Sequence, residues 1–198
     1  MKGRNEYIAV FLFGDEIKPN AKAVIHSLHS EGIQTAMISG DRAEAASAVA
    51  KQIGIDEIYA SVMPENKAQI VQNLKEISAN KNRRWVAMVG DGVNDAPALA
   101  SADVGIAMAT GTDVAIQSAG ITLMRGDLTL IPQALDISRK TWKKIQQNLF
   151  WAFVFNTAGI PLAAIGYLSP MIAGSAMALS SLFVLSNALL LKDWKPIT

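Results

Sequence analysis

Two short acidic turns and one lysine carry the chemistry most readily seen in this chain. Ser39-Gly40-Asp41 follows the apolar run Ile33 to Ile38, Gly90-Asp91-Gly92-Val93-Asn94-Asp95 follows Trp85 to Val89, and Lys67 lies between them. Glycine lets backbone N–H groups come close to a phosphate, carboxylates hold Mg²⁺ through oxygen, an ammonium neutralises phosphate charge and a serine hydroxyl adds a hydrogen bond. A Gly-Asp pair alone is ordinarily a turn and nothing more, and a single lysine is ordinarily a solvated surface residue. It is the order of the pieces, with each turn placed after an apolar run, that points to a Mg²⁺-phosphoryl site.

Such turns need strands to hold them. Tyr7 to Phe13 reads as a strand, and Ala21, Val24, Ile25 and Leu28 then recur at i, i+3, i+4 and i+7 as one face of a helix. Ile33 to Ile38 is apolar again, and a helix over 43–53, a short strand near Ile58, a helix over 65–77 and the run Trp85 to Val89 continue the alternation. This pattern predicts an α/β fold with a doubly wound parallel sheet, in which chemistry gathers at the carboxyl ends of strands.

Composition divides the chain in two. It has 198 residues, 51% of them hydrophobic, no cysteine and a net charge of +1. That excludes a disordered tail, a disulfide framework, a cysteine zinc site and a charge-driven nucleic-acid partner. From Asn148 to Leu191 no Asp, Glu, Lys or Arg occurs. The block breaks at Tyr167-Leu168-Ser169-Pro170 into stretches of about 20 and 22 residues, each long enough to cross a hydrocarbon core. The expectation is an α/β domain carrying the two acidic turns over 1–127, a basic stalk helix over 128–147, a transmembrane α-helical hairpin over 148–191 and a tail over 192–198. A pair of buried helices in a soluble protein is the bland alternative. Arg139, Lys140, Lys143 and Lys144 before the block, with Lys192 and Lys195 after it, place both ends in the cytoplasm, and Trp142, Trp151, Tyr167 and Trp194 fall near the interfaces.

Within the apolar block, Met177 and Ser181 are spaced i, i+4 on one helix face, and Asn156 lies in the other span beside Phe155. A thioether suits a soft monovalent ion such as Cu⁺. Spans without a charged side chain disfavour Zn²⁺, Cd²⁺ or Co²⁺, which need charge compensation at bilayer depth. Against this, Met is a common gap-filler, and Ser and Asn commonly join membrane helices; Ser180, Ser186 and Asn187 are read as packing. His26 and His29 are read as exposed, Met37, Met63, Met88 and Met108 as core filling, and Pro161 as a kink in the first span.

The run Val89-Gly90-Asp91-Gly92-Val93-Asn94-Asp95-Ala96-Pro97-Ala98-Leu99, with Ala102-Asp103-Val104-Gly105-Ile106-Ala107 and Gly111-Thr112-Asp113-Val114-Ala115, resembles the hinge motif of heavy-metal-transporting P-type ATPases. The resemblance covers nearly the whole chain. It implies a haloacid-dehalogenase-like phosphorylation domain, incomplete here, in which Asp91 holds Mg²⁺, Asn94 and Lys67 contact the phosphoryl group, Asp95 keeps the loop geometry, and Ser39 of Ser39-Gly40-Asp41 stands where the family usually has Thr. Met177-Ala178-Leu179-Ser180-Ser181 is similar to the last-span pattern of copper-exporting members. Phe155-Asn156 matches half of their Tyr-Asn pair, which leaves Ag⁺ or an altered copper site open.

The resemblance further implies ATP as phosphoryl donor, Cu⁺ as transported ion, a plasma-membrane location, and the bilayer and the rest of the pump as partners. The family's Asp-Lys-Thr-Gly-Thr, Thr-Gly-Glu and Cys-Pro-Cys motifs do not occur in this sequence, and Asp15 has no following Lys-Thr. The expectation is therefore a carboxyl-terminal part of a pump that does not turn over alone. Two alternatives are a membrane-tethered phosphatase using Asp15 and a non-catalytic metal-binding or regulatory membrane protein.

Overall fold

The computed structural model describes residues 16–80, 85–108, 112–166 and 169–195. The expected strand Tyr7 to Phe13, Asp15, Gly111 and the turn residues Tyr167 and Leu168 lie outside the described residues. The chain forms two compact units, Met1–Thr129 and Leu130–Thr198.

The first unit alternates helix and strand. In order come α1 (Ala21–Ser30), β1 (Ala36–Ile38), α2 (Ala43–Ile53), β2 (Glu57–Tyr59), α3 (Pro64–Asn80), β3 (Ala87–Gly90), a 3-10 turn (Val93–Asp95), α4 (Ala96–Ser101), β4 (Val104–Met108), α5 (Asp113–Ser118) and β5 (Ile121–Leu123). β1 pairs with β2, and β3, β4 and β5 pair in that order, every pair parallel. Parallel neighbours need a crossover, and α2, α4 and α5 each supply one. The described residues thus form a two-stranded and a three-stranded parallel sheet.

Burial explains the elements. Ala21 and Val24 turn inward on α1, as do Ala46 and Ala50 on α2, so these helices follow the expected periodicity. β4 carries no polar side chain, and Gly105 to Met108 are all buried, as befits a parallel strand covered on both faces. Leu99 of α4, Ala107 of β4 and Ala115 of α5 form a core cluster, with Met88, Ile116 and Ala119 packed around it. A side chain at position 105 would put its Cβ 2.6 Å from the Leu99 carbonyl oxygen, so glycine is what lets α4 lie against β4.

Asp103 pins the start of β4. Its carboxylate accepts from the Val86 amide at 2.9 Å and lies 3.0 Å from Lys75 Nζ, tying α3 to the β3–β4 edge. The Val86 hydrogen bond, followed by the Lys75 contacts, holds this carboxyl below the usual aspartate value.

Three sequence expectations need correction. His29 is half-buried, with Nε2 3.0 Å from Asp56 Oδ2 and 3.1 Å from Thr35 Oγ1, because the turns preceding β1 and β2 meet at that point. Met63 is 62% exposed, since it precedes the first turn of α3 and does not lie in a strand. Pro161, read as a kink inside the first span, is the third and lies in the second unit.

That unit consists of α6 (Leu130–Ala164), α7 (Pro170–Leu189) and a 3-10 turn (Leu190–Asp193). The stalk and first apolar run form one 35-residue helix, about 52 Å long at 1.5 Å per residue. Lys144 Nζ donates to Asn187 Oδ1 at 2.8 Å, Asn187 Nδ2 donates to Asn148 Oδ1 at 2.7 Å, and the Trp151 and Phe183 rings meet edge to face at 5.2 Å. Among the described residues one helical segment, Met171–Asp193, is long and apolar enough to cross a membrane. Pro161 lies in the last turn of α6, where the Ile165 amide still donates to the Pro161 carbonyl, so its place is near a helix end and not mid-span.

Two outcomes follow from this packing. Gly105→Ala destabilises the first unit by about 1–3 kcal/mol through overpacking, seen as a lower denaturant midpoint. Because the folded-state value of Asp103 is depressed, its contribution is fully present above its unfolded value of 3.8 and is lost as pH falls through the lower folded value. Asp103→Asn therefore lowers stability at neutral pH and makes its loss in acid shallower, measured by denaturation at both pH values.

Candidate functional site

β3 ends at Gly90, and the chain turns through Asp91 and Gly92 into the 3-10 turn and then α4. Asp95 organises this loop. Its Oδ1 accepts from Lys67 Nζ at 2.7 Å, its Oδ2 accepts from the Gly92 amide at 3.3 Å, and its own amide donates to the Gly92 carbonyl at 3.1 Å. The Lys67 and Asp95 side chains are only 16% and 14% exposed, so the pair is largely withdrawn from solvent screening. Gly90 lies directly beneath, where a Cβ would come within 2.8 Å of Asp95 Cβ. Lys67 reaches in from the first turns of α3, which begins at Pro64.

Asp91 and Asn94 are exposed at the same strand end. Asp91 Oδ2 lies 3.9 Å from Lys18 Nζ, and the Asp91 carbonyl accepts from the Thr112 amide at 3.0 Å. Thr112 in turn caps α5 through its hydroxyl, which accepts from the Ala115 amide. Sequence reasoning gave no role to Lys18, and quoted Thr112 only as part of a motif. A Thr-Asp pair opening a helix is a usable N-cap signal for Thr112, but nothing in the sequence marks Lys18.

The second turn sits at the carboxyl end of β1. Ser39 Oγ donates to Asp41 Oδ2 at 2.7 Å and accepts from the Asp41 amide at 3.1 Å, while the Ser61 amide donates to the Asp41 carbonyl at 2.8 Å. Gly40 is exposed between them. Among the described residues, no hydrogen bond or ion pair links this turn to the Gly90–Asp95 loop.

No group of three or more His, Asp or Glu side chains is gathered among the described residues. Asp95 is committed to Lys67 and Gly92, and Asp41 to Ser39, which leaves Asp91 as the accessible carboxylate at the β3 end. Mg²⁺ keeps several waters and takes one or two carboxylates plus substrate phosphate oxygens, so Asp91 fits as one ligand of such a shell.

In the second unit Asn156, Met177 and Ser181 are all exposed, Met177 to 70%. Asn156 Nδ2 donates to the Ala152 carbonyl of its own helix. The α6–α7 contacts run through Lys144, Asn148, Trp151, Phe183 and Asn187, and no hydrogen bond joins Asn156 to Ser181 among the described residues.

The family model for haloacid dehalogenase-like hydrolases matches residues 2–103, which include the parallel strands β1 to β3 and the lysine-braced loop at the end of β3. The chain belongs to the haloacid dehalogenase-like hydrolase family. It is a homologue of the copper-exporting P-type ATPases. The Staphylococcus haemolyticus protein is 55% identical over 181 residues, covering 91% of this chain and 22% of the relative. A Staphylococcus aureus protein is 53% identical over 186 residues, covering 94% of this chain and 23% of the relative. Among solved structures, the chain is similar to a zinc-transporting PIB-type ATPase in the E2.Pi state, with a TM-score of 0.81 and 33% identity over 89% of this chain and 28% of that one. It spans less than a quarter of the length of these curated relatives.

The Lys67–Asp95 geometry has a direct consequence for stability. Lys67→Met strands the Asp95 carboxylate and costs about 2–4 kcal/mol, while combining it with Asp95→Asn recovers part of that loss, as a double-mutant cycle in denaturant will read.

Proposed function

We propose that this chain is the part of an ATP-driven copper-translocating P-type ATPase that supplies the Mg²⁺-phosphate loop, a basic stalk and two membrane helices, divided at 1–127, 128–147, 148–191 and 192–198. The observation that carries the reading is the clasp of Lys67, Asp95 and Gly92, which braces the β3 loop and leaves Asp91 and Asn94 exposed at its tip.

In this reading the chain's own residues bind and orient. Asp91 offers carboxylate oxygens to Mg²⁺, which when bound offsets charge on the transferring phosphoryl group. Asn94 presents its amide to a phosphate oxygen from the same loop. Asp95 fixes the reach of the Lys67 ammonium, so that its positive charge stands beside the loop without a search. Ser39 contributes its hydroxyl on turning from Asp41, and Gly40 leaves the backbone of that turn approachable. The phosphorylated aspartate belongs to the remainder of the pump, since Asp-Lys-Thr-Gly-Thr does not occur in this sequence.

Cu⁺ is the cargo, held by the Met177 thioether with Ser181 and Asn156. Their exposure on this helix pair leaves them available to helices of the remainder of the pump. The absence of charged side chains from Asn148 to Leu191 supports a monovalent ion over zinc, and so does the higher identity to copper exporters than to the zinc transporter. Phe153, Ile160, Met171, Leu179 and Leu182 are more than half exposed, which supports burial against lipid and neighbouring helices. The basic residues flanking the block favour both ends on the cytoplasmic side, and the plasma membrane is the membrane of this proposal.

The chain in detergent with ATP and Mg²⁺ forms no acid-stable acyl phosphate. Mn²⁺ added as a paramagnetic stand-in broadens the amide resonances of the Gly90–Asp95 loop, and Asp91→Asn raises the Mn²⁺ concentration required by about tenfold or more. Broadening that Asp91→Asn leaves unchanged contradicts the role given to Asp91.

A further inference from the structure

A hollow of about 360 Å³ lies between α6 and the turn that follows α7. Lys140, Lys143 and Lys144 line one side, and Asp193, Trp194 and Lys195 the other. Four lysines and one aspartate thus line it, Lys140 being paired with Asp136 outside the hollow. The hollow is held open by specific bonds. Asp136 Oδ2 accepts from both Lys140 Nζ and the Trp194 indole N–H, each at 2.8 Å, which fastens the segment after α7 to α6. These two bonds, the Lys140 one first, hold the Asp136 carboxyl below its ordinary value, so it stays charged and the fastening persists at neutral pH. Lys144 is aimed by Asn187, whereas Lys143 and Lys195 are exposed.

The surroundings define the ligand. The hollow sits at the end of the apolar segment Met171–Asp193. Leu190 and Leu191 also line it, and Leu190 is 60% exposed. A basic cavity with leucines in its wall fits an anionic group carrying hydrocarbon tails, with Trp194 at the boundary between them. We infer that this hollow binds the phosphate headgroup of an anionic phospholipid, its acyl chains lying along Leu190 and Leu191.

The inference rests on the proposed membrane placement of α7, and the test separates the two. The full 198-residue chain is reconstituted into phosphatidylcholine vesicles with or without phosphatidylglycerol, its insertion is checked by flotation, and the lipids it retains are read by native mass spectrometry. The expected result is flotation with phosphatidylcholine alone, and about tenfold enrichment of phosphatidylglycerol over phosphatidylcholine among retained lipids. Lys143→Gln with Lys195→Gln reduces that enrichment to about twofold, with helicity and flotation unchanged. Inorganic phosphate at millimolar concentration does not displace the lipid. Failure to float overturns the membrane placement itself. Flotation without enrichment, or enrichment that survives the double substitution, overturns the lipid site alone, and displacement by inorganic phosphate reassigns the hollow to free phosphate.

Discussion

The first unit is arranged around a carboxylate that serves two partners at once, Asp95 between the Lys67 ammonium and the Gly92 amide. Largely removed from water, neither charge of the pair can be left alone without a penalty of several kcal/mol, so α3 must present Lys67 at this height and β3 must end where it does. The same contact sets residue types. Gly90 has no space for a side chain under Asp95, and Gly105 has none under Leu99, so two glycines on adjacent strands allow α4 to descend onto the sheet. With Asp95 committed, Asp91 and Asn94 remain at the tip of the loop, and the Thr112 amide holds the backbone at Asp91. The exposure of Asp91 and Asn94 at the strand end is thus a consequence of how the loop is braced from below.

The second unit solves a different problem with related means. α6 and α7 expose apolar side chains along most of their length, so their mutual register depends on the few polar groups available. Asn187 accepts from Lys144 and donates to Asn148, and Asp136 holds Trp194. Such bonds are directional where apolar contact is not.

What could be read from sequence depended on how unevenly each element is buried. α1 and α2 bury one face only, so α1 was legible through its inward repeat and the helix over 43–53 by its bounds; the β3 loop was visible through its glycines and acids. β4 was legible only as part of a family-like motif, because a strand buried on both faces has no alternation to detect. α4 and α5 have six residues each, too few for a helical period to emerge. Contacts between residues far apart in the chain were out of reach: Lys18 beside Asp91, His29 with Asp56, and Asn187 with Lys144. Residue types suggested the ingredients of the site, whereas partners such as Lys67 for Asp95 required the fold. Asn156, Met177 and Ser181 were singled out by type and spacing, and their exposure here reflects that these two helices contact each other through other residues.

The most direct measurement of the central claim is a chimaera. The 181-residue stretch of the Staphylococcus haemolyticus copper exporter that aligns with this chain is replaced by the matching residues of this chain, and metal-stimulated ATP hydrolysis is measured in vesicles. The account predicts hydrolysis stimulated by Cu⁺ and not by Zn²⁺, with loss of that stimulation on Asp91→Asn. A folded, membrane-inserted chimaera that hydrolyses ATP without regard to Cu⁺, or that responds to Zn²⁺ instead, contradicts it.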